Sequence, residues 1–404
     1  MSNRIRKVAR QHYIVTIELK PDPMTGKRRR ESHTVHGPRD QAEALCSQLL
    51  VDIQRGEYVA RSSSTVADVC RTWLNKKSAA MAAKNGQKGS PRTLERYKSL
   101  LNGSVIPSLG AWPIQKLTTE HIEAFYAASL EHVSAATVHH RHVALQQALE
   151  YAVKSHLIAT NPAKDADVPE AEHREMRFLT GEEAATLIAA ATGTSLEVPV
   201  RLALDTGMRL GEILGLRWSD VSLDAGRLTV NQTVLELSSA GTGLDFKGPK
   251  TKAGRRTIAL ASPTVAFLRE HKRAQTAQRL AMGPGWASND LVICSACGEP
   301  VRPSTVSRHF GRLVNPPTPK ATRRTPEPEP KSGPLSKPCR FHDLRHTHAT
   351  LALAAGMPVK VVSQRLGHTK ASFTLDVYAH VLPKQDQEAA DTVASAIYGT
   401  AHAL

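Results

Sequence analysis

The run Glu197-Val198-Pro199-Val200-Arg201-Leu202-Ala203-Leu204-Asp205-Thr206-Gly207-Met208-Arg209-Leu210-Gly211-Glu212-Ile213-Leu214-Gly215-Leu216 is strongly apolar and helical in spacing, and it is interrupted at Thr206-Gly207. Glycine allows the tight turn that such an interruption requires. A second helix then begins at Arg209, so this side chain projects from a helix start, where unpaired backbone N–H groups also favour an anion. Taken alone, an arginine so placed more often caps its own helix and pairs with Glu212 than serves catalysis.

Two downstream clusters have the same character. In His342-Asp343-Leu344-Arg345-His346, residues three apart share a helix face, so His342 and Arg345 point into one space. In Leu366-Gly367-His368 the glycine marks a break between helices, and Tyr378-Ala379-His380 follows ten residues after His368. Between the first and second clusters, residues 246–260 (FKGPKTKAGRRTIAL) read as a hairpin with its turn at Ala253-Gly254, carrying Lys250 and Lys252.

Phosphoryl transfer on nucleic acid needs a nucleophile, groups that neutralise the non-bridging oxygens, and proton donors. Many enzymes obtain these from a metal held by carboxylates. The chain offers no convincing set of acidic ligands, so arginine forks, which bind phosphate bidentately and stay charged, are the expected solution. No metal and no cofactor is expected. Cys294 and Cys297 look like half a zinc knuckle, but a structural zinc needs four ligands and only Cys339 and His342 lie near in sequence. Reduced thiols in a loop are the expectation there. His139, His140 and His142 diverge around a helix beside Arg141 and read as solvated or phosphate-facing.

Composition agrees with an anionic partner. Lys and Arg number 53 against 37 Asp and Glu, a formal charge of +16, which draws the chain to polyanions such as nucleic acid. No stretch reaches the roughly 18 apolar residues that span a bilayer. The opening MSNRIRKVARQHY lacks the apolar core of a secretory signal, and five cysteines are too few for a disulfide scaffold. A soluble, reducing, intracellular setting is expected.

At about 100–200 residues per domain, 404 residues make two to four domains. Residues 1–61 read as a basic unit with a strand over Tyr13–Leu19, a second over Ser32–Val35 and a helix from Arg39 to Gly56. Residues 65–162 read as helices, with Thr65, Thr118 and Ser134 as starts and Val138, Val143, Ala144, Leu145, Ala148, Leu149 and Val153 as an apolar stripe. Residues 174–404 mix helix and strand, begin with a helix capped by Thr180 and Glu183, and contain a Pro-rich insertion at 314–338 that reads as a surface loop. A helix is expected from Pro383 onward, with Ala389, Ala390, Val393 and Ile397 at helical spacing.

TGMRLGE at 206–212, HDLRHTHAT at 342–350, LGH at 366–368 and VYAH at 377–380 resemble, in order and spacing, the tyrosine recombinases, also called the phage integrase family. PKTKAGRRTI occupies the place of the family's lysine-bearing hairpin. The resemblance covers about residues 65–404, and the N-terminal unit is similar to the arm-type DNA-binding domain of many integrases. It implies a multidomain α+β fold: a small N-terminal β-sheet plus helix domain, an all-helical core-binding domain, and a mixed, mainly helical catalytic domain with a β-hairpin. The long insertion at 314–338 departs from the family's short connection.

Carried over, the resemblance gives Arg209 and Arg345 the scissile phosphate and its pentacoordinate transition state. His342 assists proton transfer or orients the phosphate, and His368 hydrogen-bonds it. Lys252 protonates the departing 5′ oxygen, with Lys250 as the competitor. Tyr378, rather than Tyr398 near the C-terminus, attacks to form a 3′-phosphotyrosyl link. A phenol ionises near pH 10, so it needs neighbouring positive charge, which these residues supply. The link is a phosphodiester, and a free 5′ hydroxyl can reverse the step without ATP. The implied function is site-specific integration of a phage or mobile element. The implied partners are double-stranded DNA with core and arm sites, a homotetramer on that DNA, and accessory DNA-bending or directionality factors. The implied location is the bacterial cytoplasm, at the nucleoid. Two other classes compete: a DNA-binding protein that has lost catalysis, and a type IB topoisomerase.

Overall fold

The computed structural model describes residues 4–19, 28–55, 58–83, 90–171, 176–237, 243–249, 252–316, 333–378, 393–395 and 397; for Arg4, Arg29, Ala83, Lys252, Phe373, Asp376, Val377 and Tyr378 it describes the backbone alone. The chain divides into two compact units, 1–173 and 174–404.

The first unit opens with an antiparallel sheet, β1 (Arg4–Ala9), β2 (His12–Leu19) and β3 (Arg29–His36), covered by α1 (Arg39–Arg55). Strand alternation sends Val15 and Ile17 to one face, where they are buried with Ala42, Cys46 and Leu49 of α1. The strand β1 escapes a reading by alternation because its register shifts between Lys7 and Ala9, a local irregularity that breaks the two-residue period.

Helices follow: α2 (Val66–Ala83), α3 (Pro91–Leu100), which runs through a π-helical turn at Leu101–Val105 into α4 (Ile106–Leu109), then α5 (Thr119–Leu130) and α6 (Ala135–Lys154). Thr65 caps α2 by accepting from Asp68 N at 3.3 Å and donating to Asp68 Oδ2 at 2.7 Å. Thr118 caps α5 with His121. Buried Val69, Trp73, Leu101, Ile122, Tyr126, Leu145 and Leu149 fill the core between these helices. The histidine run needs a correction. His139 and His140 are exposed, but His142 is buried, with its Nδ1 2.7 Å from the Tyr126 hydroxyl. It lies one turn from Val138 and Leu145, so the helix carries it onto the packed face. Of the expected stripe, Val143 and Val153 are only half-buried.

The second unit contains α7 (Gly181–Ala191), α8 (Glu197–Thr206), α9 (Leu210–Leu214), β4 (Val221–Ser222), β5 (Arg227–Val230), β6 (Thr233–Glu236), β7 (Leu244–Lys247), β8 (Arg256–Ala259), α10 (Ser262–Met282), α11 (Pro303–Val314), α12 (Asp343–Ala354), α13 (Val359–Leu366) and α14 (Ala371–Tyr378). Thr180 and Glu183 form the expected capping box, 3.1 and 3.2 Å. Leu187, Leu202, Met208, Ile213, Leu228, Phe310 and Leu344 share one core.

The hairpin expected over 246–260 is not formed. The strands β7 and β8 do not pair with each other: β7 pairs with β6 and β8 with β5, both antiparallel. Only residues 231–232 separate β5 from β6, whereas 248–255 separate β7 from β8. The paired strands thus make one long bent hairpin with Lys252 off its ladder, and Ala253-Gly254 lies in a short 3₁₀ turn, Lys252–Gly254. Lys250, His380, Tyr398 and insertion residues 317–332 lie outside the described residues. So does most of the expected C-terminal helix; 393–395 and 397 are helical and exposed.

Among the described residues, no helix is long and apolar enough to cross a membrane.

Candidate active site

The first cluster is built by the turn between α8 and α9. Gly207 adopts φ 66°, ψ 17°, the left-handed region. A Cβ there would also lie 2.7 Å from both His348 Cδ2 and Leu366 Cδ2, so glycine is required twice over. Arg209 stands at the start of α9. Glu212 binds it back: Oε2 accepts from Arg209 N and Oε1 from Arg209 Nη1, each at 3.0 Å. The pairing that the sequence allowed is thus present, but it leaves the Arg209 side chain about half exposed.

Glu212 itself is buried, and it also receives Arg256 Nη2 at 2.8 Å. Burial raises its carboxyl pKa, but the hydrogen bonds and charge of Arg256 and Arg209 more than offset this and hold it below the usual range. Neither Arg256 nor Thr374 below was singled out by sequence reasoning. Arg256 fell only within the stretch read as a hairpin, and nothing local marked the arginine's partner.

The second cluster sits at the start of α12, with Arg345 in its first turn and buried. Its Nη1 donates to Gly207 O and its Nη2 to Leu366 O, both at 2.6 Å. One guanidinium therefore ties α12 to the α8–α9 turn and to the end of α13. His342 precedes α12 by one residue, and its ring meets that of His346 edge-on at 5.1 Å. Asp343, between them in sequence, is buried and paired with Arg340 at 3.0 Å.

The third cluster follows α13. Gly367 is left-handed (φ 70°, ψ 39°), and a Cβ on it would lie 2.9 Å from Arg256 Nη1 and 3.0 Å from Ala253 O. His368 then presents Nε2 to Arg345 Nη2 at 3.0 Å and Nδ1 to the buried Thr374 Oγ1 at 2.9 Å. Arginine can only donate, so Nε2 is the acceptor and Nδ1 carries the proton.

The imidazoles report the local field. His342 is crowded by protein on one side; that desolvation, then His346, Arg345 and Arg209, push its pKa down to about 4. Burial, then Arg345, Arg209 and Arg256, push His368 to about 4 as well. Arg209, His342, Arg345 and His368 thus converge in one positive region. Lys252 begins the turn packed on Gly367, and Tyr378 ends α14; their side chains are not among those described. Among the described residues no group of three or more His, Cys, Asp or Glu is arranged to hold a metal ion. Cys294 Sγ instead receives Gln275 Nε2 at 3.0 Å.

Residues 177–385 match the phage integrase family model, and residues 66–168 match the model of the phage integrase central domain. The first match alone spans just over half of the chain. The fold is shared with solved phage and transposon integrases. The chain belongs to the phage integrase family, and its class is the site-specific tyrosine recombinases.

A tyrosine recombinase XerC-like protein of Caldanaerobacter subterraneus subsp. tengcongensis is 27% identical, over 96% of this chain and 97% of that one. The integrase fragment of transposon Tn1549, solved with a circular intermediate DNA, superposes with TM-score 0.64 at 19% identity, covering 82% of this chain and all of that one. A lambda integrase tetramer bound to a Holliday junction superposes with TM-score 0.51 at 22% identity, over 91% and 93% of the two chains.

Proposed function

We propose that this chain is the integrase of a phage or other mobile element, cutting and rejoining DNA through a 3′-phosphotyrosyl intermediate without metal or ATP. The observation that carries the reading is the convergence of Arg209, Arg345, His342 and His368 from three separate chain segments into one positive region. A buried guanidinium held by two backbone carbonyls is fixed before substrate arrives, so little reorganisation accompanies charge development on the phosphate.

Arg209 and Arg345 clamp the non-bridging oxygens of the scissile phosphate. His368 adds a hydrogen bond to the same group, which requires a proton on the Nε2 that now accepts from Arg345. His342 orients the phosphate or takes the phenol's proton. Lys252 gives a proton to the departing 5′ oxygen. Tyr378 attacks the phosphorus, its phenol made more acidic by the surrounding positive charge.

Residues 1–61 bind arm-type sites through the basic sheet, residues 65–162 the core site, and residues 174–404 perform the chemistry. Double-stranded DNA is the substrate and a homotetramer the working assembly, by analogy with the lambda tetramer. DNA-bending or directionality factors join it, and the bacterial cytoplasm is its place.

The test is recombination between two duplexes carrying the element's attachment sites, in EDTA and without ATP. Recombinant joints are expected. Relaxation of supercoils with no joints would favour a topoisomerase, and site binding with neither would mean a non-catalytic binder.

A further inference from the structure

We infer that Arg256 is a positioning residue that holds the lysine-bearing turn in register with the phosphate clamp. The inference rests on the reading of Lys252 as the proton donor to the 5′ oxygen.

The strand β8 fixes the backbone of Arg256 by pairing it with Val230 of β5. Its side chain turns inward and is 7% exposed, the same as that of Glu212. From there one guanidinium reaches Glu212, the end of α13 and the lysine-bearing turn. Nη2 donates to Glu212 Oε2 at 2.8 Å and Nη1 to Glu212 Oε1 at 3.3 Å. Glu212 in turn holds Arg209. Nε donates to Arg365 O at 2.5 Å, at the end of α13. Nη1 also donates to Gly254 O at 3.2 Å, the last residue of the turn that starts at Lys252. The backbone of Gly367, next to His368, packs directly against Arg256 Nη1 and Ala253 O.

Among the described residues between β7 and β8, 248–249 and 252–255, none joins a strand pair. This fork joins the turn's last carbonyl to the carboxylate that holds Arg209 and to the end of α13, which leads into His368. Lysine cannot substitute: it carries the charge as a point, without the planar set of donors that serves a carboxylate and two carbonyls together.

In strand cleavage the bond from phosphorus to the phenolic oxygen forms as the bond to the 5′ oxygen breaks. The leaving oxygen takes a proton from the lysine ammonium, and the phenol's proton passes to His342 or solvent. A 5′-bridging sulfur leaves without that proton, because a thiol ionises near pH 8.5, far below an alcohol. A displaced lysine therefore slows the oxygen substrate alone, whereas a loosened phosphate clamp slows both.

The experiment measures covalent adduct formation on nicked attachment-site DNA with either a 5′-oxygen or a 5′-sulfur at the scissile phosphate. It compares wild type, Arg256→Lys, Arg256→Gln, Lys252→Ala and Arg345→Ala. Both Arg256 variants are expected to react about 10²-fold more slowly than wild type on the oxygen substrate. On the sulfur substrate they should regain most of that loss, giving a sulfur-to-oxygen ratio at least about tenfold above wild type, as Lys252→Ala does, while Arg345→Ala stays slow on both. Because the two rates come from one protein sample, their ratio is independent of the folded fraction. A sulfur-to-oxygen ratio in the Arg256 variants equal to that of wild type would overturn the inference. Failure of the wild type on both substrates would instead overturn the reading of the reaction, and this inference with it.

Discussion

Arg345 and His368 meet through Nη2 and Nε2 at 3.0 Å, although 23 residues separate them in the chain. The contact sets the histidine's tautomer, because an arginine cannot accept, and the Nδ1 proton then goes to Thr374 Oγ1 at 2.9 Å. Thr374 is fully buried, so replacing it with valine keeps the shape and strands that proton. Thr374→Val is expected to cost about 1–3 kcal/mol in urea unfolding and to lower the population of the Nδ1-protonated tautomer seen by ¹⁵N NMR. An unchanged tautomer would show that Thr374 does not orient the ring.

Glu212 lies between Arg209 and Arg256, and the Glu212–Arg256 pair is nearly out of solvent. Removing one member of a buried ion pair leaves a charge without compensation, which typically costs about 3–5 kcal/mol. Glu212→Gln should therefore lower the stability of the chain by about that amount in denaturant titration. A loss below about 1 kcal/mol would mean the pair is effectively solvated.

Gly207 is left-handed and has His348 and Leu366 against it. Alanine there carries about 1–2 kcal/mol of backbone strain and about 1–3 kcal/mol of overpacking. Gly207→Ala should lower the melting temperature by several degrees and reduce strand cleavage more than DNA binding, because the same residue's carbonyl anchors Arg345. Equal losses in the two assays would argue that the turn serves only stability.

His348 and His368 have pKa values pushed to about 4, by burial first and then by nearby charges, with a backbone bond opposing this at His348. In the unfolded chain each takes its proton near pH 6.5. Between those values the unfolded state holds more protons, so stability rises with pH and is lost as pH falls from about 6.5 toward 4. One withheld proton gives a slope of at most about 1.4 kcal/mol per pH unit. Denaturant midpoints from pH 7.5 to 4.5 should fall accordingly, and less steeply for His348→Leu. A flat profile would contradict the burial of these rings.

Local signals made much of this site legible in the sequence. The break at Thr206-Gly207, the three-residue spacing of His342 and Arg345, and the caps at Thr65, Thr118 and Thr180 all depend on neighbours within four residues, and each is present. What escaped depends on distant partners. The Ala253-Gly254 turn suggested a hairpin over 246–260, but the strands on either side of it pair with β6 and β5 instead. The buried state of His142 is decided by Tyr126 on another helix. Arg256 looked like one more basic residue because its carboxylate lies 44 residues earlier.

Under the proposed function, Tyr378 becomes covalently joined to DNA in a metal-free step. The most direct measurement incubates the chain in EDTA, without ATP, with nicked suicide DNA carrying its attachment site, and resolves the product under denaturing conditions. A denaturation-resistant adduct is predicted for the wild type and none for Tyr378→Phe. An adduct that persists in Tyr378→Phe, or none in a wild type that binds the site, would contradict the account.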